Sequence, residues 1–209
     1  MSIFDRDRTE APNNKKWGLV CETDIIAKEE MKDGGMPKTG LDKYLETIFH
    51  NVYDWVHDKN VPTLRGTNFA RRRPNYRSET LKMVVEYDDY GHYKSPIRIA
   101  EDAENEAAYR AAGYKVVRVP YFIQLTNEVV KQMFGVDVEE PLFDPTVPSI
   151  SPEWQNTPAY LTPSGVRRMA KEFKKYPQQY KVNIEHLRTY ADDTLTECKW
   201  LSELVEATE

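Results

Sequence analysis

Cysteine is almost absent from this chain: Cys21 and Cys198 stand far apart, with no cysteine or histidine at ligand spacing beside either. That excludes zinc ribbons, iron-sulfur clusters and a disulfide framework, and both residues read as ordinary thiols. Long apolar runs are missing as well. The N-terminus, Met1-Ser2-Ile3-Phe4-Asp5-Arg6, is charged, and no stretch approaches the ~18 apolar residues of a membrane span. Neither a secretory signal nor a membrane segment is readable, so a soluble cytoplasmic protein is expected. An excess of positive charge is also lacking. The formal net charge of -5 argues against a coat of basic residues for nonspecific nucleic-acid binding, so any such contact has to come from a local patch.

What is present is enough for one substantial core: 209 residues, 40% of them hydrophobic and 30% charged. Residues 1–40 mix charge, Asn and Gly and read as an N-terminal arm. From Leu41 to Val56 apolar residues recur at three and four, which predicts a helix with one buried stripe. Strand-like pieces follow at Asn68 to Arg72 and at Leu81 to Asp88, where Met83-Val84-Val85 has the β-branched content of a buried strand. Ala100, Ala103, Ala107 and Ala111 mark a helix able to lie close against a sheet, and Gly113 sits where a helix end wants positive φ. Tyr114 to Val119 reads as a second buried strand. The strand, helix, strand order implies parallel pairing through a crossover.

Leu125 to Phe134 is a further short helix and closes a core spanning residues 41–135. Six prolines between Val136 and Pro163 predict an extended linker over 136–163. A helical C-terminal extension over 164–209 follows. In it Val166, Met169, Ala170 and Phe173 make an apolar face, Arg167, Arg168, Lys171, Lys174 and Lys175 the opposite one, and Asn183 to Leu204 one or two final helices.

Glu86 and Asp88 lie two apart on a predicted strand, so both side chains leave one face and can converge on a cation that prefers oxygen ligands. A strand ending in solvent would carry the same pair with no function. His92, four residues after Asp88, is close enough to join as a proton-transfer group, whereas His50, His57 and His186 read as structural. Between Arg65 and Lys82 the basic residues Arg65, Arg71, Arg72, Arg73, Arg77 and Lys82 face only Glu79. Phosphate contact is one reading of that run. A solvated strand edge that resists aggregation is the other.

The order Pro74-Asn75-Tyr76-Arg77-Ser78-Glu79, Leu81 to Val85, Glu86-Tyr87-Asp88, His92, Asp102 and Gly113-Tyr114-Lys115-Val116-Val117-Arg118 resembles the Vsr-like endonucleases of the PD-(D/E)XK superfamily. The resemblance covers about Leu41 to Phe134. It implies an α/β fold with a restriction-endonuclease-like core, a mixed sheet flanked by helices. It also implies Glu86 and Asp88 as metal-site residues, His92 as an auxiliary catalytic group and Glu46 as the acidic residue of the first helix. Asn75 departs from the pattern, which has a metal-binding aspartate there. An amide oxygen can coordinate a hard cation but brings no charge. Natural loss of catalysis, replacement by an acid such as Asp89, and a deliberate Asp→Asn change all fit that departure. No lysine follows Glu86 at the Glu-x-Lys position, where Asp88 stands, which suits the Vsr-like branch.

The expected activity is Mg2+-dependent (or Mn2+-dependent) DNA endonuclease cleavage, with Arg71, Arg72, Arg73, Arg77 and Lys82 on the nucleic acid. DNA is the expected partner, a homodimer is compatible with these residues, and no membrane is expected. The rival is a nuclease-fold module that binds DNA or a protein partner without cutting.

Overall fold

The computed structural model describes residues 41–139 and 143–207. The expected arm at 1–40, with Cys21, lies outside the described residues, as does Pro141. Among the described residues the protein is mixed α/β, with a four-stranded sheet in the order β1-β2-β3-β4. The strands are β1 (Val56–His57), β2 (Tyr76–Ser78), β3 (Met83–Asp88) and β4 (Lys115–Pro120). β1 pairs β2 and β2 pairs β3 antiparallel, while β3 pairs β4 in parallel, with Glu86 opposite Arg118. No helix among the described residues is long and apolar enough to cross a membrane.

The sheet separates two apolar layers because strand side chains alternate. Met83, Val85, Tyr87, Val117 and Val119 face a large cluster that takes in Leu41, Leu45 and Ile48 of α1 (Leu41–Ile48) and Val130 and Phe134 of α4 (Asn127–Phe134). Val84 and Val116 face the other way, onto Ala108 and Tyr109 of α3 (Pro96–Ala111). Glu86 and Asp88 share parity with Val84, and Arg118 with Val116. All three therefore emerge on the α3 side.

Several elements differ from the sequence reading. α1 ends at Ile48 rather than Val56. The chain beyond it runs out so that Asp54 can accept hydrogen bonds from Ser78 Oγ at 2.6 Å, Glu79 N at 2.9 Å and Thr80 N at 2.8 Å. An aspartate that satisfies a distant turn in this way competes with helical continuation. Residues 68–71 form turns and Arg72 is irregular, and the strand lies later, at Tyr76–Ser78.

The alanine stripe of α3 is also not its packing face: Ala100, Ala103, Ala107 and Ala111 are exposed, and Asp102, Ala108 and Tyr109 are buried. Ser95 caps the helix by accepting from Arg98 N, and the helix turns so that the large Tyr109 fills the gap to the sheet. Gly113 does take positive φ, +89°, where the chain leaves α3 for β4.

The tail is built from α5 (Pro163–Lys175), α6 (Pro177–Leu187) and α7 (Cys198–Glu206). Val166, Met169, Phe173, Ile184 and Leu201 join the same apolar cluster as Tyr93 and Phe122, so the extension packs on the core. The proline-rich stretch between them holds single 3-10 turns at Pro152–Trp154 and Pro158–Tyr160. Much of it is buried rather than lying loosely on the surface. Asn183 Oδ1 accepts from Ser149 N and Ile150 N, and Tyr121 donates its hydroxyl to Asn156 O at 2.8 Å.

Candidate functional site

The C-terminal ends of β3 and β4, the first half of α3 and the turn α2 (Gly91–Lys94) meet at one cleft of about 270 Å3. Glu86 and Arg118 enter it from the sheet, His92 from α2, and Arg98, Asp102 and Asn105 from α3. Arg71, Arg72 and Arg73 line its rim together with His57 and Asp58, and Asn75 lies beside Glu86. The sequence-predicted residues Glu86, His92, Asn75 and Arg71 to Arg73 are thus brought together.

Glu46 is exposed on α1 and does not line the cleft. Arg77 and Lys82 both pair with Glu79 at the other end of the sheet, Lys82 at 2.7 Å. Neither lines the cleft. His57, which reads as structural in the sequence, stands at the rim.

Asp88 is 1% exposed and its two oxygens are taken. Arg118 Nε donates to Asp88 Oδ2 at 2.8 Å, Arg118 Nη2 bonds Asp88 Oδ1, and Arg168 Nη2 donates to Asp88 Oδ2 at 2.6 Å. Asp102 is held by the same two guanidiniums, Arg168 Nη1 at 2.7 Å and Arg118 Nη2 at 3.1 Å. Two buried carboxylates against two guanidiniums balance in formal charge, as buried ions must. The helical pattern puts Arg168 on the solvated face of α5. It turns inward instead, over the ring of Tyr93 at 4.8 Å.

His92 Nδ1 lies 2.7 Å from Asp102 Oδ2 and 3.5 Å from Asp88 Oδ1. A carboxylate only accepts when ionised, so this contact assigns the proton to Nδ1 and leaves Nε2 as the acceptor. Nε2 faces Arg98 Nη2 at 3.4 Å. Burial alone would push the Asp102 carboxyl up, but the His92 hydrogen bond and the Arg118 charge prevail and bring it down to about 2.

Glu86 behaves oppositely. Burial of its carboxyl raises it to about 7, against the pull of the Asn75 N–H and the Arg118 charge. Asn75 donates its backbone N–H to Glu86 Oε2 at 3.0 Å and accepts from Tyr87 N through Oδ1 at 2.8 Å. Its amide oxygen is thus bonded to the strand. Burial also raises the Tyr109 hydroxyl, which hydrogen-bonds Glu86.

Asp88, His92 and Asp102 each offer a ligand atom, all within 4.8 Å of one another, and could hold a metal ion. Carboxylate oxygens with one imidazole suit a divalent cation. Arg118 and Arg168 already balance Asp88 and Asp102, and Glu86 is a further carboxyl lining the cleft with Asp102. Arg118 Nη1 and Asn105 Oδ1, both of cleft residues, are buried without a hydrogen-bond partner, which leaves a donor and an acceptor for a ligand or water there.

Asp102 and Arg118 stand within the ordered residues that carry the resemblance, yet the sequence gives them no role. The available signal was a charged residue among apolar neighbours, Arg118 between Val117 and Val119, since such a group is buried only when paired. For Arg168 no signal distinguished it from Arg167. Comparison of the chain with family models, with curated proteins and with solved structures returns no match.

Proposed function

We propose that this protein is a divalent-cation-dependent endonuclease that hydrolyses phosphodiester bonds in DNA, on a core of the PD-(D/E)XK kind, with Mg2+ or Mn2+ as the cation. The observation that carries the reading is a single cleft in which Glu86, His92 and Asp102 face Arg71, Arg72, Arg73 and Arg98. Groups suited to a cation and to proton transfer stand beside groups suited to phosphate, the combination phosphodiester hydrolysis needs.

Asp88 and Asp102 are the residues that would hold the cation, with Glu86 a further carboxyl in the same cleft as Asp102, which leaves His92 to move a proton. When bound, the cation supplies Lewis-acid polarisation of the phosphoryl group and acidifies a water. His92, oriented by Asp102, presents Nε2 to take the proton of the attacking water. Arg98 and the unpartnered Nη1 of Arg118 stabilise the charge that develops on the phosphoryl oxygens. Arg71, Arg72 and Arg73 hold flanking phosphates by charge-assisted hydrogen bonds.

The experiment is supercoiled plasmid incubated with Mg2+ or Mn2+ and the folded protein, alongside Asn75→Asp and Glu86→Ala. The reading expects nicking by the parent or Asn75→Asp and none by Glu86→Ala. Absence of nicking by all three, at every cation concentration, removes the enzyme.

A second reading has a specific observation behind it. The Asn75 amide oxygen is bonded to the backbone and both Asp88 oxygens are bonded to arginine, which suits a module that holds DNA or a protein partner without cutting. Under it DNA retention falls steeply with salt and is indifferent to Glu86→Ala.

A further inference from the structure

Helix α5, the first of the C-terminal extension, is fixed against the turn that carries His92. Thr162 Oγ1 and Thr162 N lie 3.1 and 3.4 Å from Tyr93 O. Gly165 passes so close that a Cβ there would stand 1.9 Å from the same oxygen. Arg168 is three residues on, hence on the same side of the helix. Its guanidinium bridges Asp88 Oδ2 and Asp102 Oδ2 and also donates to His92 O at 3.2 Å. One cationic group therefore ties together, from the extension, Asp88, His92 and Asp102, the residues whose ligand atoms lie within 4.8 Å of one another.

A guanidinium and a divalent cation make the same demand on a carboxylate oxygen. Both cannot be fully served by Asp88 and Asp102 when Arg118 already shares them. We infer that Arg168 is a positioning residue that holds Asp88 and Asp102 while no cation is bound and competes with the cation for them, so that seating of α5 sets the cation affinity of the cluster. The inference rests on the reading that this cluster takes a divalent cation.

The test is Mn2+ binding, without DNA, to the full chain and to Arg168→Met and Arg168→Lys, read from the spectroscopic signal of free Mn2+. With Arg168→Met, Arg118 alone faces two carboxylates, and Mn2+ should bind about tenfold more tightly or better. Arg168→Lys, a compact charge that cannot fork across both carboxylates, should fall between the two. If the parent binds Mn2+ and Arg168→Met binds equally or more weakly, Arg168 is only a brace; the inference is overturned while the cation reading stands.

If no folded variant binds, the cation reading fails and takes the inference with it. Should Arg168→Met be too unstable at room temperature for titration, its melting temperature is followed from the cold on Mn2+ addition, beside the parent's. A larger rise than the parent's supports competition, and a rise equal to the parent's or smaller overturns it.

Discussion

Arg168 Nη2 stands 2.6 Å from Asp88 Oδ2 across eighty positions of sequence, so the helical extension and the end of β3 form one electrostatic unit. An ion that deeply buried is stable only as a pair. Asp88→Ala leaves Arg118 and Arg168 with Asp102 as the one remaining carboxylate between them, so a buried positive charge is uncompensated, and the expected loss of folding free energy is about 3–5 kcal/mol. Urea denaturation of the variant beside the parent measures it; a loss below ~1 kcal/mol would contradict the burial of this pair.

Glu86 gives the protein a pH dependence of definite sign. Its folded-state value of about 7 exceeds the ordinary 4.5, so the folded protein keeps a proton that the unfolded chain releases. That contribution to stability is fully present below about 4.5 and is lost as pH rises through about 7. Relative to Glu86→Gln, which cannot titrate, the parent should lose up to about 3 kcal/mol between roughly pH 5 and pH 8. Denaturation midpoints at the two pH values report it, and parallel behaviour of the two proteins counts against the buried carboxyl.

If the protein cleaves DNA as proposed, Asp102→Asn should cut that cleavage by about 100- to 10,000-fold while DNA binding holds, because an amide no longer fixes His92 with its proton on Nδ1. Gel-shift and nicking assays on one preparation separate the two effects. A parallel loss of binding would place Asp102 in DNA recognition instead.

Replacing Arg71, Arg72 and Arg73 by alanine should lower the dependence of log affinity on log salt by about one unit for each phosphate that is no longer neutralised. Lys82→Ala, at the other end of the sheet beside Glu79, should leave that slope unchanged. Titrations at several salt concentrations decide it, and equal slopes throughout would take the arginines off the DNA.

Gly165→Ala forces a methyl group onto the Tyr93 carbonyl and should destabilise the protein by about 1–3 kcal/mol through overpacking. Thermal denaturation checks this, and an unchanged midpoint would mean α5 sits farther from Tyr93 O.

Much of the sheet was legible because β3 and β4 carry their own signature: continuous β-branched runs joined through a helix and a positive-φ glycine. Glu86, Asp88 and His92 could be grouped for the same reason, their spacing being fixed by local geometry. What could not be read was pairing between distant segments. Asp54 cut α1 short by serving the turn at Ser78 to Thr80, a contact no periodicity reveals. The alanines of α3 looked like a packing stripe, yet Tyr109 and Asp102 took the buried side, where there was a ring-sized gap and two arginines to meet. Arg168 and Arg167 are chemically identical neighbours, and only the fold turns one of them inward.

The alignment of Glu86 with Arg118 across β3 and β4 has an evolutionary corollary. Removing or adding a single residue between Gly113 and Val116 would, if the strand slid to accommodate it, deliver Arg118 into the apolar layer, opposite Val85 or Tyr87 respectively, and hand its place to a valine. That short connection should therefore accept substitutions far more readily than changes of length.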